Sequence, residues 1–271
     1  MILASTDWLN DNFNKVKIID ASWHLVKNRN AIEEYNKEHL ENAIFFDLDK
    51  NSNQKKNLSH GHFLPPISSH EKSISEMGIL NTDRIIIYCY SDLISSCRAW
   101  FQFLYFGHDP KLVSVLNGGM KKWKLEGRKV TNLKTKIIPS KYKAKINNNM
   151  IKVKSQIDEN IKRKEFTVLD ARSKNRFLGL EPEPRPGIKS GSIEGSMSLP
   201  LNELINKKNN TFLSKKKLKD IFNLKGINNN KIVMSCGSSV SAASLALAYS
   251  IINDDYMAKI YIGSWTEYGK K

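Results

Sequence analysis

One order of short apolar runs and helical stretches is used twice in this chain, and this duplication restricts the fold more than any single motif. In the first half, Lys17-Ile-Ile-Asp-Ala-Ser22 reads as a short buried strand. The polar, helix-like stretch 31–40 and then Asn42-Ala-Ile-Phe-Phe-Asp-Leu48 follow it. The β-branched run Arg84-Ile-Ile-Ile-Tyr-Cys89 leads through a loop into residues 99–106, where Trp100, Phe103, Leu104 and Phe106 have helical spacing. Leu112-Val-Ser-Val-Leu116 then runs into Asn117-Gly-Gly-Met-Lys-Lys-Trp123. In the second half Phe166-Thr-Val-Leu-Asp-Ala-Arg172, Gly191–Pro200, Lys231-Ile-Val-Met-Ser-Cys236, the small-residue stretch 242–251 and Lys259-Ile-Tyr-Ile262 recur in the same order. Short continuous apolar strands alternating with helices predict a mainly parallel sheet with helices on both faces, an α/β fold present in two copies. The expected domains are 1–130 and 151–271, joined by a polar Lys/Asn-rich linker over 131–150.

Bulk properties narrow the function mainly by exclusion. At 271 residues and 40% hydrophobic content, the chain can bury two ordinary cores. No apolar run reaches the roughly 18 residues of a membrane span, and the opening Met-Ile-Leu-Ala-Ser-Thr-Asp lacks the pattern of a signal peptide. Three cysteines, Cys89, Cys97 and Cys236, cannot build a disulfide framework and have no Cys-x-x-Cys or paired-His spacing for zinc. Cytoplasmic residence, no metal and no membrane partner are the expectations. The formal charge of +16 invites a nucleic-acid reading. However, the lysines are scattered and accompany asparagine runs, and the only dense block is Lys215–Lys217 with Lys219. No aromatic interleaving goes with the charge, so nucleic acid is not an expected partner.

The chemistry concentrates at Met-Ser-Cys-Gly-Ser-Ser-Val-Ser-Ala-Ala over 234–243. A buried strand that opens directly into a helix presents backbone N–H groups and the positive helix end to the first loop residue, which suits a cysteine thiolate. Gly237 permits a tight turn, and Ser238, Ser239 and Ser241 suit caps and turns. On these grounds Cys236 is either a nucleophile or an inert buried thiol, the usual state of a free cysteine. A cysteine phosphatase would need an arginine six residues on, and Ala242 stands there.

These runs resemble the rhodanese superfamily and, within it, the 3-mercaptopyruvate sulfurtransferases, over nearly the whole chain. That family's active loop, Cys-Gly-Ser-Gly-Val-Thr-Ala, is matched by Cys236-Gly237-Ser238-Ser239-Val240-Ser241-Ala242, with serines at 239 and 241 as the departures. The serine at 239 stands where a glycine conformation is expected. Thiosulfate-specific relatives carry Arg-Lys after the cysteine, and Gly237-Ser238 replaces both here. The stretches Asp170-Ala-Arg172-Ser-Lys-Asn-Arg176-Phe-Leu-Gly179 and Glu181-Pro-Glu-Pro-Arg185 resemble the part that supplies two substrate arginines. The resemblance thus implies that Arg176 and Arg185 hold the donor's carboxylate and ketone, a task that suits the planar guanidinium fork. Gly237, Ser239, Val240 and Ser241 would line the substrate site. The active-loop serine Ser238 would work with a histidine and an aspartate from the first half. These are read as His62 and Asp49, with His60 and Asp47 as open alternatives. The terminal Asp-Gly-Ser-Trp pattern has Ile262 in the Asp place.

The resemblance further implies a Cys236 persulfide, formed from a small-molecule sulfur donor and discharged to a thiol acceptor such as thioredoxin, or to cyanide. It implies no cofactor and a monomeric chain. The first half's own loop, Cys89-Tyr-Ser-Asp-Leu-Ile-Ser-Ser-Cys97-Arg98, is longer and lacks the glycine, so that domain is expected to be catalytically silent. The alternatives are a thiosulfate sulfurtransferase and a non-catalytic rhodanese-type binding module.

Overall fold

The computed structural model describes residues 1–25, 28–53, 61–92, 94–227, 231–256 and 258–270, and the chain packs as two units. The first comprises residues 1–52, 64–147 and 206–212. Its elements are β1 (Leu3–Ala4), α1 (Thr6–Asp11), β2 (Lys17–Asp20), α2 (Ala31–Lys37), β3 (Ala43–Phe45), α3 (Ile67–Glu76), β4 (Ile85–Tyr88), α4 (Ser96–Tyr105), β5 (Val113–Leu116) and α5 (Gly119–Leu125). Among the described residues its sheet has five strands, in the order β1-β5-β4-β2-β3, all parallel. β4 lies at the centre, and its run Ile-Ile-Ile-Tyr is buried throughout, as a strand covered on both faces requires. Ile18, Ile86, Tyr88, Leu116 and Trp123 share one core cluster with Ala4 and Leu9.

The second unit comprises residues 53–63, 148–205 and 213–271. It holds β6 (Ile151–Lys152), α6 (Lys154–Arg163), β7 (Thr167–Asp170), α7 (Lys174–Phe177), β8 (Met197–Ser198), α8 (Lys215–Leu224), β11 (Ile232–Ser235), α9 (Val240–Asn253), β12 (Lys259–Tyr261) and α10 (Ser264–Tyr268). The two-residue strands β9 (Ile205–Asn206) and β10 (Thr211–Phe212) flank a turn between β8 and α8. The sheet order, β6-β12-β11-β7-β8, repeats the first sheet position for position, again with parallel pairing. The fold is therefore the duplicated α/β architecture expected. α9 is apolar on every side, and residues 240–250 are buried along it, the burial that an all-round apolar helix demands. Among the described residues no helix is long and apolar enough to cross a membrane.

Residues 131–147, expected to form a linker, are instead laid onto the first unit. His39 and Thr131 exchange two backbone hydrogen bonds of 2.8 Å, the Lys145 N–H donates to the Phe106 carbonyl at 2.9 Å, and Tyr142 is buried against His108. Backbone pairing of this kind satisfies the polar groups that a buried loop would otherwise strand. Asn53 and residues 61–63, by contrast, pack with the second unit although their sequence position falls within the first repeat.

Candidate active site

β11 ends at Ser235, α9 begins at Val240, and the intervening turn holds the thiol. Cys236 is buried, as are Ser238 and Ser239. The sharp reversal is made at Ser239, whose φ of 62° and ψ of 6° put an L-residue in the left-handed region that favours glycine. α10 then clamps the turn. The Trp265 N–H donates to the Cys236 carbonyl at 2.9 Å and the Thr266 N–H to the Gly237 carbonyl at 2.8 Å. The Ser264 hydroxyl accepts the N–H groups of Cys236 (3.3 Å) and Ser239 (3.2 Å) and donates to the Tyr261 carbonyl (2.9 Å). With these groups engaged, the amides of Gly237 and Ser238 are the loop N–H groups with no acceptor among the described residues. They stand at the N-terminus of a 14-residue helix.

Three side chains from elsewhere in the second unit converge on this turn. The His62 Nδ1 lies 2.9 Å from the Ser238 Oγ, and both residues are buried. Arg185 donates from Nη2 to the same oxygen at 2.9 Å. A Cβ added to Gly237 would lie 3.2 Å from the Arg176 Nη2 and 3.3 Å from the Arg185 Nη1. The two guanidiniums thus press against the residue after the cysteine, and Gly237 is needed here for space, its φ lying outside the left-handed region. An Oγ that accepts from a cation gives up its own proton more readily, and His62 stands ready to share it.

The structure therefore brings together Cys236, Gly237, Ser238, Ser239, His62, Arg176 and Arg185, while Val240 and Ser241 form the buried first turn of α9. Asp49 belongs to the first unit, where its exposed carboxylate accepts the Trp23 indole N–H at 3.1 and 3.2 Å. Asp47, the open alternative, caps its own turn by accepting the Lys50 N–H. His60 lies outside the described residues. In the first unit Cys89 sits at the place equivalent to Cys236. Its Sγ is 3.3 Å from the Ser96 Oγ, and burial pushes its thiol pKa up, against a thiolate.

Residue-by-residue reading of the sequence missed Ser264, Arg172 and Glu183. Arg172 is buried, pairs with Asp170 through 2.7 and 3.0 Å contacts and stacks over the Trp265 ring at 4.6 Å. Its Nη1 donates to Glu183 at 2.7 Å, and Glu183 in turn accepts from Arg176. The signal was present in Asp170-Ala-Arg172, where opposite charges two residues apart follow a buried strand. Among the described residues no group of three or more His, Cys, Asp or Glu is placed to hold a metal ion.

A thiol at the carboxyl edge of a repeated parallel sheet, in a turn bordered by two arginines and a Ser–His pair, defines an α/β protein with the groups for attack by cysteine on an anionic substrate. The sequence matches the rhodanese-like domain over residues 5–126 and again over 153–271. It is 35% identical to thiosulfate/3-mercaptopyruvate sulfurtransferase 2 of Arabidopsis thaliana, over 98% of this chain and 83% of that protein. Against the 3-mercaptopyruvate sulfurtransferase of Homo sapiens the figures are 33%, 93% and 84%, and against the thiosulfate sulfurtransferase of Mus musculus 32%, 99% and 92%. The crystal structure of SseA from Escherichia coli, described with 3-mercaptopyruvate sulfotransferases, superposes with a TM-score of 0.86 at 26% identity, covering 97% of this chain and 98% of that one. A sulfur transferase subunit of yeast mitochondrial complex I gives 0.87 at 29%, covering 99% and 96%. The chain belongs to the rhodanese family.

Proposed function

We infer that this sulfurtransferase takes its sulfur from 3-mercaptopyruvate in preference to thiosulfate and carries it as a persulfide on Cys236. The observation that carries the donor assignment is the space at Gly237. Arg176 and Arg185 occupy the volume into which a side chain at 237 would project. A third cation at 237, where thiosulfate-specific relatives carry one, would meet both steric contact and like-charge repulsion. Two planar forks also match a donor that carries a carboxylate next to a ketone.

In the first half-reaction the Cys236 thiolate attacks the donor's sulfur. The new S–S bond forms as the C–S bond breaks, and its electron pair leaves on carbon as the enolate of pyruvate. Arg176 and Arg185 hold the carboxylate and balance the charge that grows on the ketone oxygen. The donor's thiol proton passes to the Ser238–His62 pair and the enolate carbon takes one up, which completes pyruvate. The outer sulfur rests as an anion against the free amides of Gly237 and Ser238. A thiol, on a small molecule or on a protein such as thioredoxin, or cyanide then attacks it and regenerates the Cys236 thiolate.

The test compares initial rates with 3-mercaptopyruvate and with thiosulfate, together with intact-mass measurement after exposure to each. Preferential turnover of 3-mercaptopyruvate, and the mass gain of one sulfur atom on wild type but not on Cys236→Ala, are expected. Pyruvate release by Cys236→Ala, or a preference for thiosulfate, would overturn the reading.

A further inference from the structure

We propose that Glu183 is a positioning residue of this site: its buried carboxylate holds the Arg176 guanidinium in one orientation, with the remaining donors of that fork directed at the sulfur donor. The proposal rests on the reading of Arg176 as a donor-binding arginine and deepens it. Glu183 lies between Pro182 and Pro184, whose rings restrict the backbone on both sides. Its side chain is only 1% exposed. A carboxylate so far from water needs cationic partners, and two are supplied. Arg172 reaches Oε1 at 2.7 Å, while Arg176 places Nη2 at 2.6 Å from Oε2 and Nε at 3.2 Å from Oε1.

The consequence follows from fork geometry. Glu183 takes the Nε–Nη2 edge of Arg176, which fixes the plane of the guanidinium. Among the described residues nothing accepts from its Nη1, and its Nη2 stays against Gly237. Arg176 itself stands on α7, a helix of four residues that offers little rigidity of its own. Its orientation is instead referred through Glu183 to Arg172. That residue is locked onto Asp170 at the end of β7, onto the Gly191 carbonyl at 2.8 Å and onto the Trp265 ring. Trp265 also holds the Cys236 carbonyl, so the arginine and the thiol share one buried frame. Without Glu183, a long side chain would have to be ordered anew at each donor encounter, and the affinity for donor would fall by that cost.

The test is steady-state kinetics of Glu183→Gln and Glu183→Asp with 3-mercaptopyruvate, alongside discharge of preformed persulfide to cyanide. Glu183→Gln is expected to raise KM roughly ten-fold while kcat stays within about three-fold. Discharge to cyanide should be unchanged, because that step needs no donor carboxylate. In the Arg176→Ala background the same substitution should leave KM where Arg176→Ala alone puts it. Glu183→Asp keeps the charge and should recover part of the loss, and it carries the comparison if the Gln variant does not fold. An unmoved KM in both variants, or a further KM increase on top of Arg176→Ala, would overturn the role of Glu183 while leaving the donor assignment standing. A wild-type chain that forms no persulfide from 3-mercaptopyruvate would overturn both.

Discussion

Ser239 carries a local conflict at the active turn, a left-handed backbone on a residue with a Cβ. That conformation costs an L-residue about 1 kcal/mol relative to glycine. In exchange its hydroxyl offers only a long contact of 3.4 Å to the His62 carbonyl. Ser239→Gly is therefore expected to leave sulfur transfer intact and to raise stability by up to about 1 kcal/mol, as the urea midpoint would show. Gly237→Ala is expected to act on transfer rather than on stability. The added methyl lies 3.2 and 3.3 Å from two guanidinium nitrogens, closer than most carbon contacts, and would push the forks out of place. KM for 3-mercaptopyruvate should rise roughly ten-fold with little change in Tm, a split that steady-state kinetics and a thermal melt would separate. The left-handed turn was legible in the sequence, since a serine stood in a glycine's place. The packing at Gly237 was not, because its neighbours lie about fifty and sixty residues away and no local pattern marks them.

At the level of elements, the active turn is held less by its own helix than by α10. Ser264 alone satisfies two buried N–H groups, at the two ends of the turn. Ser264→Ala would strand both and is expected to cost about 2 kcal/mol, with a matching fall in the urea midpoint and a lower kcat as the turn loosens. The first unit has a plain counterpart. Gly119 follows β5 as Ser264 follows β12, with φ of 52° against 48°, and the Met120 N–H donates to the Cys89 carbonyl as Trp265 does to Cys236. Strands and helices were legible because continuous apolar runs such as Ile85-Ile-Ile-Tyr88 admit few alternatives in a sheet covered on both faces. The placement of residues 131–147 was not legible. Polar, lysine-rich composition describes their solvent side, whereas what fixes them is backbone pairing with His39, Phe106 and Tyr105. Glu183 was equally hidden, because nothing in Glu181-Pro-Glu-Pro-Arg185 says which glutamate turns inward.

Across the whole molecule the two copies treat one acid differently. Asp170 ends β7 and is paired with Arg172, whereas Asp20 ends β2 and is followed at the same spacing by Ser22. Burial without a guanidinium raises the Asp20 carboxyl from its usual 3.8 to about 6, against the pull of its hydrogen bonds with Ser22 and Tyr88 and the field of His39. Well below pH 3.8 the group is protonated in both folded and unfolded chains. As pH rises through 6 the unfolded chain ionises first, so the first unit loses stability, by up to about 3 kcal/mol from this group. Asp20→Asn should flatten that slope, as urea unfolding between pH 4.5 and 8 would show. The placement of His62 in the second unit has a further consequence, for anyone who would cut the gene where the repeat divides. A fragment starting at residue 148 contains the thiol and both arginines yet leaves the imidazole of His62 on the discarded piece, so the duplicated fold does not yield a separable half-enzyme. Adding residues 53–63 as a synthetic peptide should restore to such a fragment whatever activity the histidine supplies, which a complementation assay would measure.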